Sequence, residues 1–121
     1  MLMADMGAEV IKIESERPDL IHSIEPTIDN EGQKTSYANL TLNRNKKSIA
    51  IDITRKSGQQ LIKDMVAKAD VLIENYKVGG LTKYGLDYKS LCKLNPKLVY
   101  CSITGFGQTG PYANKPGYDA M

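Results

Sequence analysis

The chain has 121 residues, 41% of them hydrophobic and 25% charged, with a formal net charge of +2. That length suits one domain with a packed core, and that balance excludes a disordered chain. So small a net charge gives no general drive toward nucleic acid or membrane, and no apolar run approaches the ~20 residues of a membrane-spanning helix.

Met1, Leu2, Met3 and Met6 read as the end of an amphipathic helix, with Gly7 at its C-cap, where glycine adopts a positive φ cheaply. Ala8 to Glu14 predicts a buried strand around Val10, Ile11 and Ile13. Residues 15–35 are polar, contain Pro18, Pro26 and Gly32, and lack sustained periodicity, so an irregular surface excursion within the domain is expected there. A short helix follows over 35–42, capped by Thr35 or Ser36. The alternation of Ile49, Ile51 and Ile53 predicts a strand over 48–53. Ser57 is placed to cap the next helix, whose Leu61, Ile62, Met65 and Val66 form an apolar stripe. Val71, Leu72 and Ile73 make a continuous run suited to a strand buried on both faces. Gly79 and Gly80 break the chain. Asp87 is a candidate cap for a short helix over 88–94, which Asn95-Pro96 stops. Leu98 to Thr104 is the fourth strand, and the residues beyond Gly105 are turn-rich.

Alternating strands and helices predict an α/β fold, a parallel sheet with right-handed crossovers and helices on both faces. Ligands of such sheets bind beyond the carboxyl ends of the strands. That rule selects Ser15, Thr54-Arg55, Asn75-Tyr76-Lys77 and the segment from Gly105 to Pro111. Gly105, Gly107 and Gly110 satisfy G-x-G-x-x-G, but a dinucleotide site needs a helix opening directly under the glycines. Pro111, Asn114, Pro116 and Gly117 follow instead, so the segment reads as a site-lining loop. Cys92 and Cys101 lack metal-ligand spacing and read as small buried hydrophobes, in keeping with a reducing compartment. No metal site is expected, and His22 reads as a surface residue. Met1 to Met6 carries no signal-peptide pattern. A cytoplasmic location is therefore expected, or the mitochondrial matrix should a targeting sequence precede the chain.

Four segments in fixed order carry a resemblance: M-G-A-E-V-I-K-I-E at 6–14, N-R-N-K-K-S-I-A-I-D at 43–52, A-D-V-L-I-E-N-Y at 69–76, and Y-C-S-I-T-G-F-G-Q-T-G-P at 100–111 with P-G-Y-D at 116–119. Together they resemble the class III coenzyme A transferases of the CaiB/BaiF type, which include formyl-CoA and carnitine-CoA transferases and methylacyl-CoA racemase. The resemblance covers nearly the whole chain. It implies that residues 1–121 form a partial, Rossmann-like CoA-binding domain, the chain being an N-terminal fragment inactive by itself. It implies an enzyme that moves coenzyme A between an acyl-CoA and a carboxylic acid, with coenzyme A as substrate and no permanently bound cofactor. The intact protein would be an interlocked homodimer with no nucleic-acid or membrane partner.

Carried over residue by residue, the resemblance places nucleotide contacts at Ile51, Asp52, Ile53 and Thr54, and at Asn75, Tyr76 and Lys77. Lys83, in G-G-L-T-K-Y-G, stands where the family carries a basic residue beside the nucleotide; lysine offers a point charge where the frequent arginine offers a fork. Pro116, Gly117, Tyr118 and Asp119 would approach the pantetheine arm, and Gly105, Phe106 and Gly107 would line the site. Arg44 and Asn45 read as structural. The family's nucleophile is an aspartate in a later motif, so it is expected beyond Met121 and none of the residues here is assigned a catalytic role. The racemase branch places a histidine where this chain has Tyr118, which favours transferase. A racemase-like enzyme and a non-catalytic CoA-binding module stand as the alternatives.

Overall fold

Two units, Met1–Asp52 and Ile53–Met121, make up the chain. The computed structural model describes residues 1–15, 24–30 and 33–117. His22, Tyr118 and Asp119, for which expectations are stated above, lie outside the described residues.

The first unit opens with helix α1, Leu2–Asp5. Its end is a Schellman closure: Gly7 N–H donates to Ala4 O at 3.1 Å and Ala8 N–H to Met3 O at 3.0 Å, with Gly7 at φ +97°. Strand β1, Val10–Glu14, pairs in parallel with β4, Lys46–Ala50, in register Val10 to Lys46 through Glu14 to Ala50. β4 therefore begins two residues earlier than the expected strand, includes Ile49, and stops before Ile51 and Ile53. Ile51 adds one more bond, to Glu14 O at 2.9 Å, and its side chain is buried.

Part of the expected irregular excursion is ordered pairing. β2, Thr27–Asn30, and β3, Gln33–Ser36, form an antiparallel hairpin. Helix α2, Tyr37–Asn43, follows directly, capped by the buried Ser36, whose hydroxyl accepts from Asn39 N–H at 2.9 Å.

The second unit holds α3, Lys56–Val66, then β5, Val71–Glu74, a 3₁₀ turn at Thr82–Tyr84, α4, Tyr88–Leu94, and β6, Val99–Ser102. β5 and β6 are parallel, Val71 opposite Val99 through Glu74 opposite Ser102. The N-cap of α3 is Arg55 rather than Ser57. Its buried residues are Gln59, Ile62 and Val66 at i, i+3 and i+7, and Gln59 keeps its amide satisfied by donating to Ile53 O at 3.0 Å. Leu61 is exposed, so the apolar stripe is narrower than its composition suggests. Leu81, Leu86, Leu91 and Leu98 are buried in the same unit.

The expected α/β class holds, with two parallel strand pairs and intervening helices. The expectation that β1 and β5 are fully buried does not. Ile11 and Ile13 in β1, and Val71 and Ile73 in β5, lie on open faces. Side chains alternate across a strand, and here the alternate residues Lys12 and Glu14, or Leu72 and Glu74, take the more covered face. Among the described residues no helix is long and apolar enough to cross a membrane.

Candidate functional site

Parallel pairing of β5 with β6 sends both strands out at one end, so Asn75-Tyr76-Lys77 and the segment from Ile103 onward leave the pair together. Ile103 N–H still donates to Glu74 O at 2.8 Å, which anchors the start of the second segment against the first. The Glu74 carboxylate accepts from Tyr76 N–H at 2.7 Å and so turns the chain at the strand end. Asn75, Tyr76 and Lys77 are all exposed.

The turn after them is shaped by two glycines. Gly80 N–H donates to Lys77 O at 2.8 Å, and a Cβ on Gly80 would lie only 2.9 Å from that same oxygen. Gly79, at φ +73°, supplies the left-handed step. The 3₁₀ turn then presents Lys83, exposed, with its ammonium 4.8 Å from the centre of the Tyr84 ring. That contact steadies the cation without neutralising it.

The loop after β6 is closed at its neck. A Cβ built on Gly105 would lie 2.4 Å from the Cα of Gly117, and one on Gly117 would lie 2.2 Å from the Cα of Gly105. The two backbones touch directly, which only glycine at both positions allows. Between them Phe106 and Tyr112 meet edge to face at 5.7 Å, and the Lys115 ammonium sits 4.1 Å over the Tyr112 ring. Ala113 N–H donates to Gly110 O and Lys115 N–H to Tyr112 O, so the loop carries its own turns. Gly107 and Gly110 have positive φ and open space around them.

Among the residues singled out from sequence, Gly105 and Gly117 are thus brought into contact, and Phe106, Gly107 and Pro116 belong to the same exposed loop. Ile53 and Thr54 precede α3, and Ile53 O receives the Gln59 amide. Ile51 and Asp52 close the first unit, Ile51 with a buried side chain.

Arg44 and Asn45 have the structural role expected of them. Arg44 grips Asp5 with two bonds, Nε to Oδ1 at 3.2 Å and Nη2 to Oδ2 at 2.6 Å, and its Nη1 donates to Thr41 O. Asn45, at φ +59°, adds a bond to Asp5 Oδ1 at 3.0 Å. The Arg44 guanidinium holds the Asp5 carboxyl below the usual carboxylate range. Arg44 and Asn45 are therefore a clasp between the end of α1 and the start of β4.

Sequence reasoning missed two features of the second unit. Asn95 does more than stop α4: its side-chain amide donates to Val66 O and Ala69 O, both at 2.9 Å, and so satisfies carbonyls at the end of α3. The Gly105–Gly117 neck was also unrecognised, although two glycines bracketing a turn-rich stretch of eleven residues are its visible signal.

The family model described as CoA-transferase family III matches residues 1–121. Succinate–glutarate CoA-transferase of Agrobacterium fabrum is 52% identical over 123 residues, a match covering 98% of this chain and 30% of that protein. Human succinyl-CoA:glutarate CoA-transferase is 44% identical over 124 residues, covering 100% of this chain and 27% of that one. A crystal structure of a CaiB/BaiF family protein from Brucella suis superimposes with a TM-score of 0.93 at 52% identity, over 98% of this chain and 32% of the other. The chain thus spans about 30% of the length of the curated relatives it matches.

Proposed function

Because the chain belongs to CoA-transferase family III, we propose that it supplies part of the coenzyme A cradle of an enzyme that moves coenzyme A from an acyl-CoA to a carboxylic acid. The observation that carries this reading is the common exit of Asn75–Lys77 and the Gly105 loop from one end of the β5–β6 pair. Exposed residues and glycine-shaped backbone leave those strand ends, the place where such folds take ligands, and Lys83 follows in the connection from β5 to α4. A coenzyme A molecule needs cations and backbone donors for its phosphates and a flat contact for adenine. Lys77 and Lys83 offer the first, and Tyr76 the second. Ile51 to Thr54 are proposed nucleotide contacts, and Pro116 to Asp119 contacts of the pantetheine arm. In this reading both units belong to one CoA-binding domain of a longer protein.

The chemistry proposed for the whole enzyme is covalent. An aspartate outside these 121 residues attacks the donor thioester carbonyl; the C–S bond breaks, coenzyme A leaves as thiolate, and a mixed anhydride forms. The thiolate then attacks the aspartyl carbonyl, releasing the donor acid and leaving an aspartyl thioester. The acceptor carboxylate repeats the sequence in reverse and departs as the new acyl-CoA. Dicarboxylic acyl groups are the proposed substrates, because relatives at 44% and 52% identity are named for succinate and glutarate. The whole enzyme is proposed to be an interlocked homodimer working in the cytoplasm or the mitochondrial matrix.

Isothermal titration of the folded 121-residue protein with coenzyme A tests the cradle. Saturable binding is expected, weakened about ten-fold by Lys83→Ala as one charge-assisted contact is lost. Binding indifferent to Lys83→Ala and to Asn75→Ala would overturn the placement. Binding by this protein, together with no CoA exchange by the full-length gene product between succinyl-CoA and glutarate, would favour a non-catalytic module.

A further inference from the structure

A groove of about 390 Å³ in the second unit is lined by none of the residues assigned to coenzyme A. It is lined by Lys63 of α3, Gly85 after the 3₁₀ turn, and Ser90, Leu91, Lys93 and Leu94 of α4. Its lining is more apolar than polar. Lys63 is half-buried, yet neither it nor Lys93 has an acidic or hydrogen-bonding partner among the described residues. The Lys63 ammonium rests beside Gly85, 3.4 Å from where a Cβ would stand, so any side chain there would begin to fill the groove under the cation. Gly85 also has φ +64°, which favours glycine on backbone grounds. The Ser90 hydroxyl donates its proton to Asp87 at 2.6 Å, leaving the two lysines as the donors available to a ligand.

Two unpaired cations above a largely apolar floor fit a small amphiphile with an acidic head. We propose that this groove binds a carboxylate or phosphate monoester carried on a short alkyl chain, the head between Lys63 and Lys93 and the chain along Leu94. The site is independent of the coenzyme A reading and stands or falls without it.

The test is an amide-resolved NMR titration of the 121-residue protein with hexanoate and with hexyl phosphate, beside hexanol and inorganic phosphate. Saturable shifts are expected at Gly85, Ser90, Lys93 and Leu94 with one or both amphiphiles, and which one binds identifies the head group. Hexanol and inorganic phosphate should bind about ten-fold more weakly, each lacking one half of the recognition. A Lys63→Met, Lys93→Met double variant should lose about ten-fold in affinity, and Lys89→Met, on the same helix outside the groove, should lose nothing. If the double variant does not fold, Leu94→Glu, which puts a like charge where the chain would lie, should abolish the shifts. No saturable shift with either amphiphile, equal binding of hexanol, or equal loss in Lys89→Met would overturn the proposal. Coenzyme A binding that survives the double variant but falls with Lys83→Ala would show that the two sites differ.

Discussion

A methyl group on Gly105 would stand 2.4 Å from the Cα of Gly117, a separation no native packing tolerates, whereas one on Gly107 meets open space. The two glycines therefore make different predictions. Gly105→Ala should force the neck apart, costing about 1–3 kcal/mol as overpacking does, with the strain falling on the loop. The amides of Ala113 and Lys115, hydrogen-bonded inside the loop, should then exchange markedly faster. Gly107→Ala should cost only the left-handed backbone, about 1 kcal/mol, and leave those amides protected. Hydrogen exchange decides between them, and equal exchange in the two variants would mean the neck does not hold the loop. Tyr100 gives a second residue-scale prediction. Its hydroxyl donates to Leu86 O at 3.0 Å, and burial, with smaller contributions from Glu74 and Asp87, pushes its pKa up to about 12. The folded state thus keeps a proton that the unfolded chain releases near pH 10. The stabilisation is complete below that pH and lost as pH rises from about 10 to 12. Tyr100→Phe should lower stability by about 0.5–1.5 kcal/mol at neutral pH and flatten the alkaline fall, read from urea midpoints across that range.

At the level of elements, the end of α3 depends on a residue that belongs to the next connection. Asn95 closes α4 with its own N–H on Leu91 O and reaches back with its amide to Val66 O and Ala69 O. Asn95→Ala should cost about 1–3 kcal/mol: Ala69 O loses the amide donor and carries its desolvation penalty, while Val66 O keeps only the Ala69 N–H, at 3.2 Å. Asn95→Asp should be no better, because a carboxylate cannot donate to a carbonyl. Denaturant unfolding of both variants measures this, and an Asn95→Asp protein as stable as the parent would refute the clasp. The element also shows what sequence reveals and what it hides. Asn95-Pro96 announces a helix stop because proline's restriction is local. The partner carbonyls lie 26 and 29 residues away, and no local pattern points to them. Strand ends were legible for the same reason as the stop: Asn75–Lys77 and the Gly105 loop follow runs of apolar residues. β2 and β3 were not, because T-I-D-N and Q-K-T-S are mostly polar and their pairing shows no apolar alternation. Where β4 begins also escaped the pattern. Its register on β1 includes Lys46 and Lys47, which a reading by isoleucines leaves out.

Across the molecule, apolar content did not translate into burial. Val99 is 60% exposed and Ile73 55%, although both sit in strands whose composition reads as interior. In-register parallel partners share a face, so Val71, Ile73, Val99 and Cys101 all lie on the open side of the β5–β6 pair. Leu91, by contrast, is 1% exposed. Composition cannot separate these positions, because leucine and valine on either face satisfy the same pattern; only the pairing and what covers it can. The difference has a measurable consequence for this 121-residue protein. Leu91→Ala removes buried methyl groups from a closed space and should cost about 2–5 kcal/mol. Val99→Thr and Ile73→Thr change groups that water already reaches, and each should stay within about 0.5 kcal/mol of the parent. Urea unfolding at unchanged slope gives all three values on one scale. A Val99→Thr loss as large as that of Leu91→Ala would show that the β5–β6 face is covered in solution, by a second copy if the loss depends on protein concentration and from within the chain if it does not.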